Sequence, residues 1–196
     1  LVTTIKERCR VCYTCVRECP AKAIRIVEQQ AEVMPERCIG CGNCVRVCSQ
    51  HAKRVTSDLE HVQALLKGGD PVAAILAPSF HAEFVDIEYQ IFVGMLRSLG
   101  FELVNEVGFG ADLVAAKYRH LLERNPDRRY IATTCPAIIG YVERYHPELV
   151  PFLAPVVSPM LATARMLRQR HGDNLRIVFI GPCIAKKGEA TSDPVV

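Results

Sequence analysis

The chain has 196 residues, 49% of them apolar and 23% charged, with a net charge of +3 and a mean hydropathy of +0.12. That is enough chain for one medium domain plus a small one, and the composition excludes a disordered polypeptide. A membrane helix needs about 20 consecutive apolar residues; the densest stretch, Val72 to Pro78, is far shorter, and Ile5-Lys6-Glu7-Arg8 interrupts any secretory signal. A leucine at residue 1 and an ending at Val196 without a terminating element suggest a piece of a longer protein.

Residues 1–57 hold ten Lys/Arg against five Asp/Glu, a local charge of +5, so the remainder carries −2. Tyr13 is the only Tyr, Phe or Trp before Phe80, which leaves no aromatic platform among the basic residues, and no nucleic-acid partner is expected. The basic excess is better read as an offset to anionic metal centres. Eight of the ten cysteines lie in this segment, in two runs: Cys9, Cys12, Cys15 and Cys19, then Cys38, Cys41, Cys44 and Cys48. Each cysteine of the second run stands 29 residues after its counterpart, which marks an internal duplication.

This spacing selects iron. Three cysteines at every third position let a tight loop wrap one cubane, and the fourth, after a three-residue gap, points to a second one. A tetrahedral zinc site would leave the third and fourth cysteines of each run unexplained, and a secreted disulfide framework lacks its signal peptide. The expectation is two 4Fe–4S clusters, one on Cys9, Cys12, Cys15 and Cys48, the other on Cys38, Cys41, Cys44 and Cys19. Gly40 and Gly42 suit a loop that needs unusual dihedrals and close backbone approach. Ile24–Val27 and Ala31–Met34 are predicted to form a hairpin beside the clusters.

After residue 57 the pattern becomes strand and helix in alternation. Ser57-Asp58 starts a helix with Leu59, Val62, Leu65 and Leu66 as its buried stripe. Val72–Ala77 is an apolar run expected of a strand covered on both faces. A helix is predicted over Ala82–Leu99, a strand over Glu102–Val107, a helix over Ala111–Arg124 and a strand over Arg129–Thr134. Pro136 and Pro159 each suit the first position of a helix, and Leu175–Ile180 is a fourth strand. The fold class is therefore an α+β two-cluster module over 1–57, followed over 58–196 by an α/β domain with a parallel sheet. Cys135 and Cys183 would follow the third and fourth strands, at the carboxyl edge where open α/β sheets bind ligands. Lone cysteines are as often mere packing, but two at equivalent places favour a ligand role.

Thr133-Thr134-Cys135-Pro136-Ala137, Gly181-Pro182-Cys183-Ile184-Ala185-Lys186-Lys187-Gly188-Glu189, Tyr145-His146-Pro147-Glu148-Leu149, Ser158-Pro159 and Ala77-Pro78-Ser79 resemble the iron-only (FeFe) hydrogenases. With a ferredoxin-like two-cluster module in front, the resemblance covers essentially the whole chain. It implies that 58–196 is the first part of a catalytic domain whose centre, the H-cluster, joins a 4Fe–4S cubane to a diiron unit bearing CO, cyanide and a dithiolate. Cys135 and Cys183 would be two of the four cubane ligands, the others belonging to a motif expected after Val196. By the same resemblance Lys186 matches a lysine that bonds a cyanide, Pro78 and Ser79 the loop beside the other cyanide, and Ser158, Met160 and Glu189 the cofactor pocket.

The departures from that family concern protons. Thr134 stands where the family has a proton-shuttling cysteine, and a hydroxyl is too weak an acid for that duty. Ala154 takes the place of a serine, and Tyr118 and Leu121 those of two glutamates, in the outward proton path; Gly181 and Met160 replace a methionine and a glutamine. Three readings follow: a hydrogen- or redox-sensing relative with an impaired proton relay, an active hydrogenase running 2H⁺ + 2e⁻ ⇌ H₂, and a non-catalytic iron–sulfur carrier. The first is preferred, and residues 1–196 alone are expected to be inactive. The implied partners are an electron donor or acceptor protein or a downstream signalling domain, with H₂ and protons as ligands, in a reducing, anaerobic cytoplasm and with no membrane span.

Overall fold

The duplication is one of backbone shape as well as sequence. In the computed structural model, which describes residues 1–193 and 195–196, six of the left-handed positions fall into three pairs at the 29-residue offset. Val11 (φ 53°) pairs with Gly40 (φ 69°), Tyr13 (φ 61°) with Gly42 (φ 76°), and Lys22 (φ 46°) with His51 (φ 48°). Tyr13 and Gly42 each start a one-turn helix, α1 (Thr14–Arg17) and α2 (Asn43–Arg46), in which Cys15 and Cys44 are buried. Around these loops run β1 (Val2–Thr4), the hairpin of β2 (Ile24–Val27) and β3 (Gln30–Val33), and β4 (Lys53–Val55). The hairpin forms as expected, with its second strand one residue earlier because Val27 pairs with Gln30. Its two-residue turn, Glu28-Gln29, is left-handed at both positions (φ 46° and 58°), as a type I′ turn requires. β1 pairs antiparallel with β4, placing Thr4 opposite Lys53.

The chain divides into two compact units. One is Leu1–Ser57 together with Cys135–Leu153 and Cys183–Glu189; the other is Asp58–Thr134, Ala154–Pro182 and Ala190–Val196. The second unit opens with α3 (Leu59–Lys67), then β5 (Val72–Leu76), α4 (Phe80–Glu83), α5 (Tyr89–Ser98), β6 (Leu103–Glu106) and α6 (Val107–Arg124). Helix α7 (Pro136–Tyr145) belongs to the first unit, α8 (Pro159–His171) and β7 (Arg176–Ile180) to the second, and α9 (Ile184–Ser192) begins in the first.

The second unit is built on a parallel three-stranded sheet in the order β6-β5-β7. Every residue of the central strand β5 is buried, and its side chains part by alternation. Ala73 and Ile75 join Val107 of α6 and Met160, Leu161, Ala164 and Leu167 of α8. Val72, Ala74 and Leu76 join Phe92 and Leu96 of α5 and Phe101, with Val62, Leu65 and Leu66 of α3 against them. A strand sandwiched in this way has no solvent face, which is why its sequence is continuously apolar. Among the described residues no helix is long and apolar enough to cross a membrane.

Three expectations are corrected. Arg129–Thr134 adds no strand to the sheet: Ile131 makes a single bridge, accepting from Ala154 N (2.9 Å), and the polar groups of Thr133 are satisfied by Tyr118, Ala154 and Val156 instead of by a ladder. The helix predicted over Ala82–Leu99 divides into α4 and α5, because Val85, Asp86 and Ile87 are poor helix formers and Phe84 folds back to pack on Phe92 (ring centroids 4.7 Å apart). The stripe of α3 is half-buried at Val62, Leu65 and Leu66, and Leu59 is exposed.

Candidate metal centres

In the first unit the eight amino-terminal cysteines gather into two sets of four. Cys9, Cys12, Cys15 and Cys48 line one cavity; Cys19, Cys38, Cys41 and Cys44 line the other. Each set takes three cysteines from one run and the last from the other. Among the described residues no three His, Cys, Asp or Glu side chains are grouped to hold a single metal ion; the sulfurs of each set surround a space rather than converge on a point. A donor set of four thiols around one shared cavity suits a cubane of iron and sulfide.

The local backbone serves the sulfurs symmetrically. Ala23 N donates to Cys19 Sγ (3.2 Å) and its repeat equivalent Ala52 N donates to Cys48 Sγ (3.3 Å), so the last cysteine of each run accepts from the amide four residues on. Gly40 N donates to Cys38 Sγ (3.4 Å). Such N–H···S bonds offset thiolate charge. Burial pushes the Cys15 thiol up, and the Lys53 ammonium is the largest influence pulling it back. Burial likewise pushes Cys44 up, to about 11, again opposed chiefly by Lys53. The Cys12 thiol is lowered by its hydrogen bonding to Thr14.

Sequence reasoning missed two parts of this unit. Lys53 is 6% exposed and lines the first cavity. The duplication could have flagged it, since the residue at the equivalent place, 29 earlier, is the buried apolar Ile24. The second part is the cover over the second loop, supplied by residues far along the chain. A Cβ on Gly42 would stand 2.8 Å from Ile184 Cδ1, and one on Gly40 would stand 3.0 Å from Ala185 Cα. Tyr145 Oη donates to Ala21 O (2.6 Å) and accepts from Arg37 Nε (3.4 Å), with the Arg37 guanidinium 5.8 Å from its ring centre. No local pattern announces such distant partners.

The remaining site candidates are more dispersed. Cys135 and Cys183 are free and exposed. Cys183 follows β7, but Cys135 follows no strand; it is the residue that precedes α7, with Pro136 at the helix start. Lys186 Nζ lies 2.7 Å from Glu189 Oε2, one turn along α9, with both side chains 11% exposed. In the second unit Pro78, Ser79 and Thr134 are exposed. Ser158 Oγ caps α8 by accepting from Leu161 N (3.4 Å), and Met160 is wholly buried in the core. Tyr118 Oη accepts from Thr133 N (2.8 Å) and lies 3.0 Å from Thr133 Oγ1, whose own proton goes to Val156 O (2.6 Å). Tyr118 Oη is thereby bonded to both the amide and the hydroxyl of one residue. Ala154 is buried and bonds Ile131 through its amide.

Known proteins carry the same pieces. Residues 1–49 match the family model of the 4Fe-4S dicluster domain. The cytosolic Fe-S cluster assembly factor NAR1 of Yarrowia lipolytica is 30% identical over 106 residues, half of this chain and 22% of that protein. Iron hydrogenase 1 of Clostridium pasteurianum is 28% identical over 131 residues, 61% of this chain and 23% of its own length. The NAR1 of Vanderwaltozyma polyspora matches over 62 residues at 34% identity, 32% of this chain and 12% of that protein. The chain thus spans less than a quarter of the length of these relatives. Residues 70–196, well over half of the chain, match the C-terminal domain of the iron-only hydrogenase large subunit, and the chain belongs to that family.

Proposed function

We propose that residues 1–57 form a ferredoxin-like module holding two 4Fe–4S clusters, one on Cys9, Cys12, Cys15 and Cys48 and one on Cys38, Cys41, Cys44 and Cys19. The two four-cysteine cavities and the amides directed at Cys19 and Cys48 support this reading. When bound, the clusters supply one-electron storage and transfer. Residues 58–196 are read as the first lobe of the hydrogen-binding domain, a boundary that leaves Cys135 and Cys183 to offer two of the four thiols of an H-cluster cubane. Lys186 stands by resemblance near its diiron ligands, oriented by Glu189. The electron partner is a donor or acceptor protein, or a downstream signalling domain, in a reducing cytoplasm.

Within that frame the protein senses hydrogen or redox state instead of turning hydrogen over quickly. The observation that carries this is the engagement of Tyr118, at the place of a relay glutamate, with Thr133. A relay passes protons along an unbroken series of titratable groups or waters within hydrogen-bond reach; Tyr118 is bonded to the amide and hydroxyl of Thr133, and that hydroxyl leads on only to the backbone carbonyls of Ala154 and Val156, which carry no proton onward. Thr134 has no group that titrates near neutrality, and the Ala154 methyl carries no proton at all. A second reading, an iron–sulfur carrier in cluster assembly, is favoured by the similarity to the two NAR1 proteins.

Anaerobic reconstitution of the full-length protein with a synthetic diiron cofactor separates these readings. Weak hydrogen turnover is expected, raised about a hundredfold by Thr134→Cys, since a positioned acid–base group contributes roughly 10²–10⁴-fold. Fast turnover by the unaltered protein overturns the sensing role. Failure to take up infrared bands of CO and cyanide transfers the protein to the carrier reading.

A further inference from the structure

The duplicated module breaks its own symmetry at one buried position. Ala23 and Ala52 are equivalent, both buried and both donating to a cysteine sulfur, but the next residues are Ile24 and Lys53. Ile24 lines the cavity of Cys19, Cys38, Cys41 and Cys44, and Lys53 lines that of Cys9, Cys12, Cys15 and Cys48. Lys53 Nζ donates to Thr4 Oγ1 (2.6 Å) and to Ala31 O (2.7 Å), and Thr4 Oγ1 itself bonds Ala31 O. Two of the three ammonium protons are spent in anchoring the side chain across β1, β3 and β4, and the third has no acceptor among the described residues. A cation buried to 6% exposure beside four thiols, where the other copy has isoleucine, is poorly screened by solvent.

We propose that Lys53 makes the cluster on Cys9, Cys12, Cys15 and Cys48 the more readily reduced of the pair, so that one buried charge gives a duplicated electron carrier its direction. This rests on the two-cluster reading above. Reduction adds one electron, drawn from a low-potential one-electron donor, to a centre whose charge with its thiolates goes from about −2 to about −3. A fixed positive charge favours the more negative product, and does so most for the nearer cluster. Lys53 lines the first cavity and not the second, and it also acts on Cys44 of the other set, so both potentials rise, the first by more. Electrons entering the module settle first on the site beside Lys53.

The test is reductive titration of the full anaerobically reconstituted chain with dithionite, followed by electron paramagnetic resonance, alongside iron and acid-labile sulfide per chain. About eight of each are expected, with two midpoint potentials. Lys53→Ile, which installs the residue of the other copy, should leave the iron and sulfide content unchanged and lower the higher potential by at least tenfold in the reduction equilibrium, about 59 mV for one electron. The gap between the two potentials should narrow, and Lys53→Arg should keep it. Unchanged potentials in a fully loaded Lys53→Ile protein overturn the proposal while leaving the two clusters standing. Iron and sulfide well below eight in the unaltered protein overturn both. If Lys53→Ile does not assemble, Lys53→Gln, which retains a donor for Ala31, is titrated in its place, and a gap as wide as in the unaltered protein counts against the proposal.

Discussion

Residues 9–19 and 38–48 trace the same left-handed turns, yet the first loop makes them with Val11 and Tyr13 and the second with Gly40 and Gly42. A side chain in this conformation costs roughly 1–2 kcal/mol, and a β-branched one such as Val11 is the least comfortable there. The difference lies in what stands over each loop. Tyr13 is 49% exposed, whereas the space beyond Gly40 and Gly42 is taken by Leu1, Ile184 and Ala185. Strain is tolerated where the loop is open; a missing Cβ is required where it is covered. Glycine here reports a neighbour as much as a dihedral angle.

Substitutions can break that contrast. Gly40→Val combines a left-handed β-branched residue with a clash against the Ala185 backbone, and should cost about 3 kcal/mol or more. Iron content should fall to roughly half, the cluster of Cys38, Cys41, Cys44 and Cys19 being the one lost. Tyr145→Phe removes the hydroxyl that ties α7 to Ala21 and Arg37, and should lower the stability of the second loop by about 1 kcal/mol, read from hydrogen exchange, with the first loop unaffected. Val11→Gly, the reciprocal change, relieves the left-handed strain and should raise stability by about 0.5–1 kcal/mol in thermal unfolding of the metal-free chain. A separate test concerns pH. Cys44 is raised from 9.0 to about 11 in the fold, so in the metal-free protein the unfolded chain ionises first. The stability this contributes is complete below pH 9.0 and is lost as pH rises through about 11, which a pH series of unfolding curves of the metal-free chain would follow.

The legible parts of the molecule were those set by short-range pattern. The 29-residue offset carried the paired loops, Gly40 and Gly42 marked unusual dihedrals, and the unbroken apolar run at Val72–Leu76 marked a strand with two covered faces. Tyr130-Ile131-Ala132 read as another strand because its side chains suit one, but a strand needs a neighbour with free amides, and Tyr118 had already taken the Thr133 amide. Nothing within Ala82–Leu99 but the run Val85-Asp86-Ile87 hinted at the break between α4 and α5, and the aromatic contacts of Phe84 and Phe80 with Phe92 decided it. Around the cysteines, the four-and-four grouping was readable from spacing. Lys53 was readable only as a mismatch with Ile24 at that offset, because one lysine among ten basic residues otherwise looks like surface until its burial is known. The cover from Tyr145, Ile184 and Ala185 depends on contacts more than a hundred residues apart.

That long-range cover has a consequence for the order in which the protein matures. A ribosome adds about 5–20 residues per second, so the interval between releasing Cys48 and releasing Glu189 is on the order of ten seconds. Throughout that interval the four thiols beside Gly40 and Gly42 are without Ile184 and Ala185, which both belong to the same unit. The nascent chain therefore presents an open mouth to whatever delivers iron and sulfide, and shuts it only when synthesis is nearly through residue 189.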